Sequence, residues 1–283
     1  MEDNPFPELK IDDFSFLNST EKRERCSKCN RSRKYYCYTC YKPVNDFIAD
    51  RIPKVKLPVK IDVIKHPSEV DGKSTSPHAA ILASDDVTIY DYPCIPTYDP
   101  SKVITILIFP GPKSCDLEDV LGLKKCNSET SKHNCETSKR SSETSKGNSG
   151  TIKSNSEASK TICKVTPWFD KVVFIDSTWN QTPTIANDER LKDINRVEIK
   201  LRKTKFWRTQ DGNPDEYLST IEAIYYFLTD YHGLCINPIY SNEYDNLLFF
   251  FCFNYNKIRQ ASGGGKTIKA YSKKKKNEGI LNA

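Results

Sequence analysis

Asp176-Ser177-Thr178-Trp179 sets a carboxylate, two hydroxyls and an indole directly after the apolar run Val172-Val173-Phe174-Ile175. A carboxylate so placed can take a proton from a reacting group. The same residue types equally suit a helix start, where Asp or Ser caps free backbone N–H groups. A second set is Cys26-Ser27-Lys28-Cys29 followed by Cys37-Tyr38-Thr39-Cys40, two CxxC pairs separated by seven residues. Each pair can turn both sulfurs toward one ion, and four thiolates suit tetrahedral Zn²⁺. Metal ligation would supply folding free energy that so short a segment lacks, while redox thiols are the other common use of CxxC. Arg25, Lys28, Arg31, Arg33 and Lys34 alternate there with Tyr35, Tyr36 and Tyr38. Such a mixture can contact phosphates and stack on bases.

Strands must carry these groups. Val172 to Ile175 reads as a strand buried on both faces, the pattern of a parallel sheet. Val103 to Ile108 is a second such run, ending in Phe109-Pro110-Gly111-Pro112. Two prolines make that loop rigid, and the glycine allows close backbone approach to a ligand. Ligands of open α/β sheets bind outside the carboxyl ends of the strands, so both loops are candidate sites. Pro53 to Pro58 is an extended linker. Val59 to Ile64 alternates as a strand, followed by the turn His66-Pro67-Ser68-Glu69 and a short helix over Thr75 to Leu82. Helical potential runs from Asn180-Gln181-Thr182 through Leu191. Val197 to Leu201 is a third strand, leading into Arg202-Lys203-Thr204-Lys205-Phe206-Trp207-Arg208. From Arg196 to Arg208 there are six basic residues and one acid, a surface fit for RNA phosphates or a strand edge guarded by lysines. Either Asn213-Pro214-Asp215-Glu216 or the capping box Ser219-Thr220-Ile221-Glu222 starts a helix reaching about Tyr231. Leu218, Ile221, Ile224, Tyr225 and Leu228 line its buried face. Glu222 either closes the box or receives a ligand. Leu247 to Phe253 is a strand or a buried helix segment.

Three regions follow: an N-terminal segment over 1–50, a central domain over 51–262 and a basic tail over 263–283. Around 114–160 the central domain carries a polar repeat, Ser128-Glu129-Thr130-Ser131-Lys132 and its copies, on a seven-residue register. With almost no apolar position it has no coiled-coil seam and reads as a disordered insert. Net charge is +6. Lys257 to Asn277 holds eight basic residues and no acid, which favours a polyanion partner or nuclear import. Met1 to Phe14 has no apolar core of a secretory signal, and no run is long enough to span a bilayer. Eleven cysteines in such a chain point to thiols and metal.

The ordered set resembles the DTW-domain family of tRNA-uridine aminocarboxypropyltransferases from Cys26 to about Phe253, the repeats excluded. It comprises the paired CxxC, His66-Pro67-x-Glu69, Phe109-Pro110-Gly111-Pro112, Asp176-x-Thr178-Trp179-x-Gln181, Leu201-Arg202 and Ser219-Thr220-x-Glu222-Ala223. Tyr36 to Tyr41 and Ile175 to Thr182 look most like the first of its two eukaryotic paralogues, which acts in the nucleus. The resemblance implies a SPOUT-like α/β fold, mainly parallel, with a deep trefoil knot holding S-adenosylmethionine, beside a small zinc knuckle at Cys26, Cys29, Cys37 and Cys40. It implies transfer of the 3-amino-3-carboxypropyl group to N3 of a D-loop uridine in tRNA, giving acp3U, with neither membrane nor DNA as partner. Asp176 would then be the base. Phe109, Pro110, Gly111, Pro112, Ser177, Thr178, Trp179 and Thr220 would hold the cofactor, with Arg202 on its carboxylate and Glu222 on its ammonium. Two rival readings are an RNA methyltransferase on the same fold and a non-catalytic zinc-containing RNA-binding protein.

Overall fold

The computed structural model describes residues 4–123, 167, 169–207 and 214–262. The repeats over 128–160, Arg208 and the basic tail lie outside them.

Near the N-terminus two short hairpins present the cysteines. Strands β1 (Glu24–Arg25) and β2 (Ser32–Arg33) pair antiparallel, as do β3 (Tyr36–Cys37) and β4 (Lys42–Pro43). A short helix, α1 (Asp46–Ala49), follows, capped by Asn45, whose side chain accepts from the Ile48 N–H.

The body is a six-stranded parallel sheet. Its strands are β5 (Lys60–Lys65), β6 (Val87–Asp91), β7 (Thr105–Ile108), β8 (Cys115–Asp116), β9 (Lys171–Asp176) and β10 (Asn195–Glu198), in the order β6-β5-β9-β7-β10-β8. Because side chains alternate along a strand, β9 sends Val172 and Phe174 to one face and Val173 to the other. The first face is covered by α2 (Ser76–Leu82), α5 (Thr220–Tyr231) and α6 (Phe249–Ala261). The second is covered by α4 (Thr182–Ala186) with Ile95 and Leu191. Phe249, Phe250, Phe251 and Phe253 of α6 are all buried. Each such ring contributes about 1.5–3 kcal/mol through burial, so α6 is a main source of core stability.

One open alternative is settled and three details differ from the sequence reading. Leu247 to Phe253 is helical, split between a 3₁₀ turn (Asp245–Leu248) and α6; a helix buried all round has no polar face to set a period. The stretch assigned to the insert from 114 is folded as far as Leu123. Here Cys115–Asp116 adds β8 to the sheet edge, and α3 (Leu117–Val120) follows, capped by Asp116. The third strand stops at Glu198, leaving 199–206 without regular structure. Val87 to Asp91, not anticipated, forms the opposite edge strand.

Candidate active site

The loops after β7, β9 and β10 meet the start of α5 around a cleft of about 140 Å³. Phe109 and Pro110 come from the first loop, Ser177, Trp179 and Thr182 from the second. Ile199 to Arg202 come from the third, and Glu216, Leu218, Thr220 and Ala223 from the α5 entry. Leu201 is 83% exposed, an unusual state for a leucine facing a concave surface and one that a bound apolar group would relieve.

Of the predicted cofactor residues, Phe109, Pro110, Ser177, Trp179, Arg202 and Thr220 line this cleft; Gly111, Pro112, Thr178 and Glu222 do not. A Cβ on Gly111 would meet only Phe109, at 3.8 Å, so no close approach demands glycine there. Thr178 closes its own loop, its Oγ1 donating to Gln181 Oε1 at 2.8 Å. Trp179 stacks on Tyr217 with ring centroids 3.9 Å apart, tying two of the loops together. Arg202 donates to Asp230 Oδ1 at 3.0 Å.

Glu222 departs most from expectation. Fully buried, its carboxylate accepts from the Ser219 N–H and Oγ, the Thr204 Oγ1 and the Lys205 N–H. The capping box is therefore real, and the same carboxylate pins the 204–205 loop to α5. Burial pushes its pKa up, and the four donors oppose that shift. With its acceptor capacity engaged it is a structural anchor, not a ligand for an ammonium. Ser-x-x-Glu in the sequence carried that signal; the bonds to residues 204 and 205 had none.

Asp176 ends β9, 4% exposed, at the centre of a hydroxyl cluster. Its Oδ2 accepts from Ser74 Oγ at 2.6 Å and Ser76 Oγ at 2.7 Å, and its Oδ1 accepts from Thr220 Oγ1 at 2.7 Å. Asp176 thus joins β9 to the starts of α2 and α5. It does not line the cleft itself; Thr220 does, so the carboxylate communicates with the cleft through one hydroxyl. Glu69 lies within electrostatic reach of Asp176. Burial, and next the charge of Asp176, push its pKa up to about 7.

The four cysteine sulfurs lie within 4.8 Å of one another, Cys29 and Cys37 at 3.6 Å. Zn–S bonds of about 2.3 Å in a tetrahedron require S···S separations of about 3.8 Å, so the set fits the ion. Each pair folds the same way: the Asn30 N–H donates to Cys26 O and the Tyr41 N–H to Cys37 O. Asn30 and Tyr41 both take positive φ, 57° and 53°. Hydrogen bonds from backbone N–H groups, led by that of Cys29, lower the Cys26 pKa to about 6, while burial first and the neighbouring sulfurs next raise Cys40 to about 12. Four thiolates cannot coexist there without a cation.

The DTW-domain family model matches residues 34–259. The chain belongs to the DTW-domain family. It is 46% identical over 263 residues to tRNA-uridine aminocarboxypropyltransferase 1 of Xenopus tropicalis, covering 92% of this chain and 88% of that protein. The proteins of that name from Mus musculus and Homo sapiens are each 47% identical, over 249 and 244 residues. These alignments cover 87% and 86% of this chain and 81% and 79% of the relatives. No solved structure gives a significant match. The matched stretch takes in the second hairpin, the whole parallel sheet and α6 as far as Arg259, while the first hairpin, with Cys26 and Cys29, lies before it.

Proposed function

We propose that this DTW-family chain is a tRNA-uridine aminocarboxypropyltransferase, moving the 3-amino-3-carboxypropyl group of S-adenosylmethionine to N3 of a D-loop uridine. The observation that carries this reading is the cleft at the carboxyl ends of β7, β9 and β10, reached by Asp176 through Thr220. The near full-length likeness to relatives of that name supports it. Three loops converging on one cleft also suit the SPOUT-like knotted arrangement expected of such a protein.

Bound S-adenosylmethionine would supply a sulfonium-activated carbon and leave as methylthioadenosine. The chain's own residues handle position and the proton. Ile199 and Leu201 offer apolar cover for a purine ring. Arg202, oriented by Asp230, offers a planar fork for a carboxylate. Glu216, which faces the cleft and is exposed, replaces Glu222 as the partner for an ammonium. Thr220 Oγ1 gives its own proton to Asp176, so its lone pairs are free to accept N3–H. As the N–C bond forms and the C–S electron pair goes to sulfur, the N3 proton passes to Thr220 and that of Thr220 to Asp176. Holding both reactants so that one carbon beside sulfur faces N3 supplies much of the rate. Structural zinc at Cys26, Cys29, Cys37 and Cys40 would hold the two hairpins together. Nuclear residence is part of the proposal and rests on the Lys273 to Lys276 run.

Incubating the protein with tRNA and S-adenosylmethionine, then digesting to nucleosides for mass spectrometry, tests the reading. The expected product is acp3U with methylthioadenosine. A methylated nucleoside with S-adenosylhomocysteine, or no new nucleoside, would overturn it.

A further inference from the structure

A second pocket, of about 290 Å³, opens between the hairpins, the 71–74 turn, Trp207 and α6. Its charges are unlike those of the cleft. In the cleft Lys200 pairs with Glu118 and Arg202 with Asp230. The second pocket gathers Arg23, Arg33, Lys34 and Lys73 around a single carboxylate, Asp71, which is tied to Lys65.

Arg33 is the informative residue. It is 7% exposed, and no carboxylate pairs with it among the described residues. Its guanidinium lies over the Tyr38 ring at 3.8 Å and donates to Ser32 O and Thr39 Oγ1, both at 3.1 Å, leaving Nε without a partner. A buried cation without a counter-charge is costly; an anion arriving from the pocket supplies what is missing. Trp207 lies in the same wall, its Nε1–H likewise unpartnered among the described residues. Its indole packs on Phe206 and Phe251 at 4.6 and 5.0 Å between centroids. Tyr36, bonded through its hydroxyl to His78 Nε2 at 2.9 Å, lines the pocket as well. Burial drops His78 to about 3, so its imidazole is neutral and adds no charge.

The pocket's position matters as much as its charge. Ser74 lines it and donates to Asp176 Oδ2, while Thr220 lines the cleft and donates to Asp176 Oδ1. The Asp176 cluster is therefore a wall shared by the cleft and a basic, aromatic pocket.

We propose that this second pocket seats a nucleotide of the tRNA substrate, its phosphate against Arg33 and Lys34 and its base against Trp207. The proposal rests on the transferase reading for the identity of the RNA. A phosphate answers the unpaired guanidinium, and a base answers the aromatic wall formed by Trp207 and Tyr36.

The test measures tRNA affinity of the full chain by fluorescence anisotropy across a potassium chloride series, with S-adenosylmethionine affinity and zinc content measured in parallel. Arg33→Gln is expected to weaken tRNA binding about tenfold and to lower the salt slope by about one. S-adenosylmethionine binding and zinc should be unchanged. Should Arg33→Gln lose zinc, the more exposed pair Arg23→Gln with Lys34→Gln replaces it, with the same expected changes. Unaltered affinity and slope in a zinc-loaded variant would overturn the proposal. Uridine 5′-monophosphate should displace tRNA at far lower concentration than inorganic phosphate does; equal potency would reduce the pocket to a phosphate site and overturn the nucleotide assignment. If Arg33→Gln behaves as expected in a protein that forms no acp3U, the pocket stands and the transferase reading fails.

Discussion

Replacing Asp176 by Asn keeps the shape of the side chain but removes its charge and one acceptor. Three hydroxyls now donate to that carboxylate, from Ser74, Ser76 and Thr220. Hydrogen bonds to charged groups contribute roughly 1.5–3 kcal/mol, and neutral ones roughly 0.5–1.5. Neutralising all three therefore costs about 3 kcal/mol. Removing a buried charge offsets part of this, leaving about 1–3 kcal/mol. For a fold of this size about 1 kcal/mol shifts Tm by 2–4 °C, so thermal unfolding should fall by about 2–12 °C. If Thr220 passes the proton to Asp176, turnover should drop by roughly 10²–10⁴, measured as acp3U formed per minute at saturating tRNA and S-adenosylmethionine. Thr220→Val should lose a similar factor, and Thr220→Ser should restore most of it. Affinity for S-adenosylmethionine should be little changed, because Asp176 does not face the cleft. Asp176→Asn with a Tm within 1 °C of the parent and near-normal turnover would refute both the hub and the proton path. Turnover and cofactor affinity lost together would instead make Asp176 a cofactor ligand.

Cys29→Ser should release the metal, read as zinc per protein falling from one toward zero by elemental analysis, together with lower thermal stability. Glu222→Ala leaves the donors of Ser219, Thr204 and Lys205 without their acceptor and should cost about 3–5 kcal/mol by denaturant unfolding; weakened cofactor binding at unchanged stability would contradict the anchor role. Glu69 is raised to about 7 in the fold. Its ionisation therefore costs stability as pH rises from about 4.5 through 7, and the loss is complete above that range. Glu69→Gln should raise Tm at pH 8 by about 1–3 °C, limited by solvent screening of this half-buried site, and leave pH 5 unchanged.

What could be read from the chain followed the strength of its local patterns. Val172 to Ile175 and Thr105 to Ile108 are short, mostly β-branched runs buried on both faces, which favours a central parallel strand over a buried helix. The cysteine spacing pointed to the four-sulfur cluster, because each CxxC folds by its own local geometry. Val87 to Asp91 escaped notice since an edge strand with exposed Thr88 and Asp91 resembles a loop in composition. Cys115–Asp116 is a strand only because the β10 backbone lies beside it; two residues carry no period. Glu222 and Arg202 show the same limit within the site. Both types suit a charged ligand, but whether a carboxylate is free or saturated depends on partners 17 or 28 positions away. Arg33 and Trp207, 174 positions apart, could be joined in one pocket only by the folded chain.

The packing of the first residues on the last helix has a consequence for biogenesis. Phe6 meets Phe251, Phe14 meets Phe249 and Phe253, and the Lys10 N–H donates to Asp245 Oδ2 at 2.7 Å. At about 5–20 residues per second of synthesis, roughly 10–50 s separate the emergence of Phe6 from that of Phe251. During that interval these aromatic residues have no native partner. The four hairpin cysteines, Cys26 to Cys40, are made within fifteen residues of one another, so their cluster can assemble while the rest of the chain is still on the ribosome. Folding would therefore begin with the four-cysteine hairpins and end with the N-terminal segment closing over α6. A defect in either packing partner should surface as one phenotype, a chain with its hairpins formed but its aromatic seam unclosed.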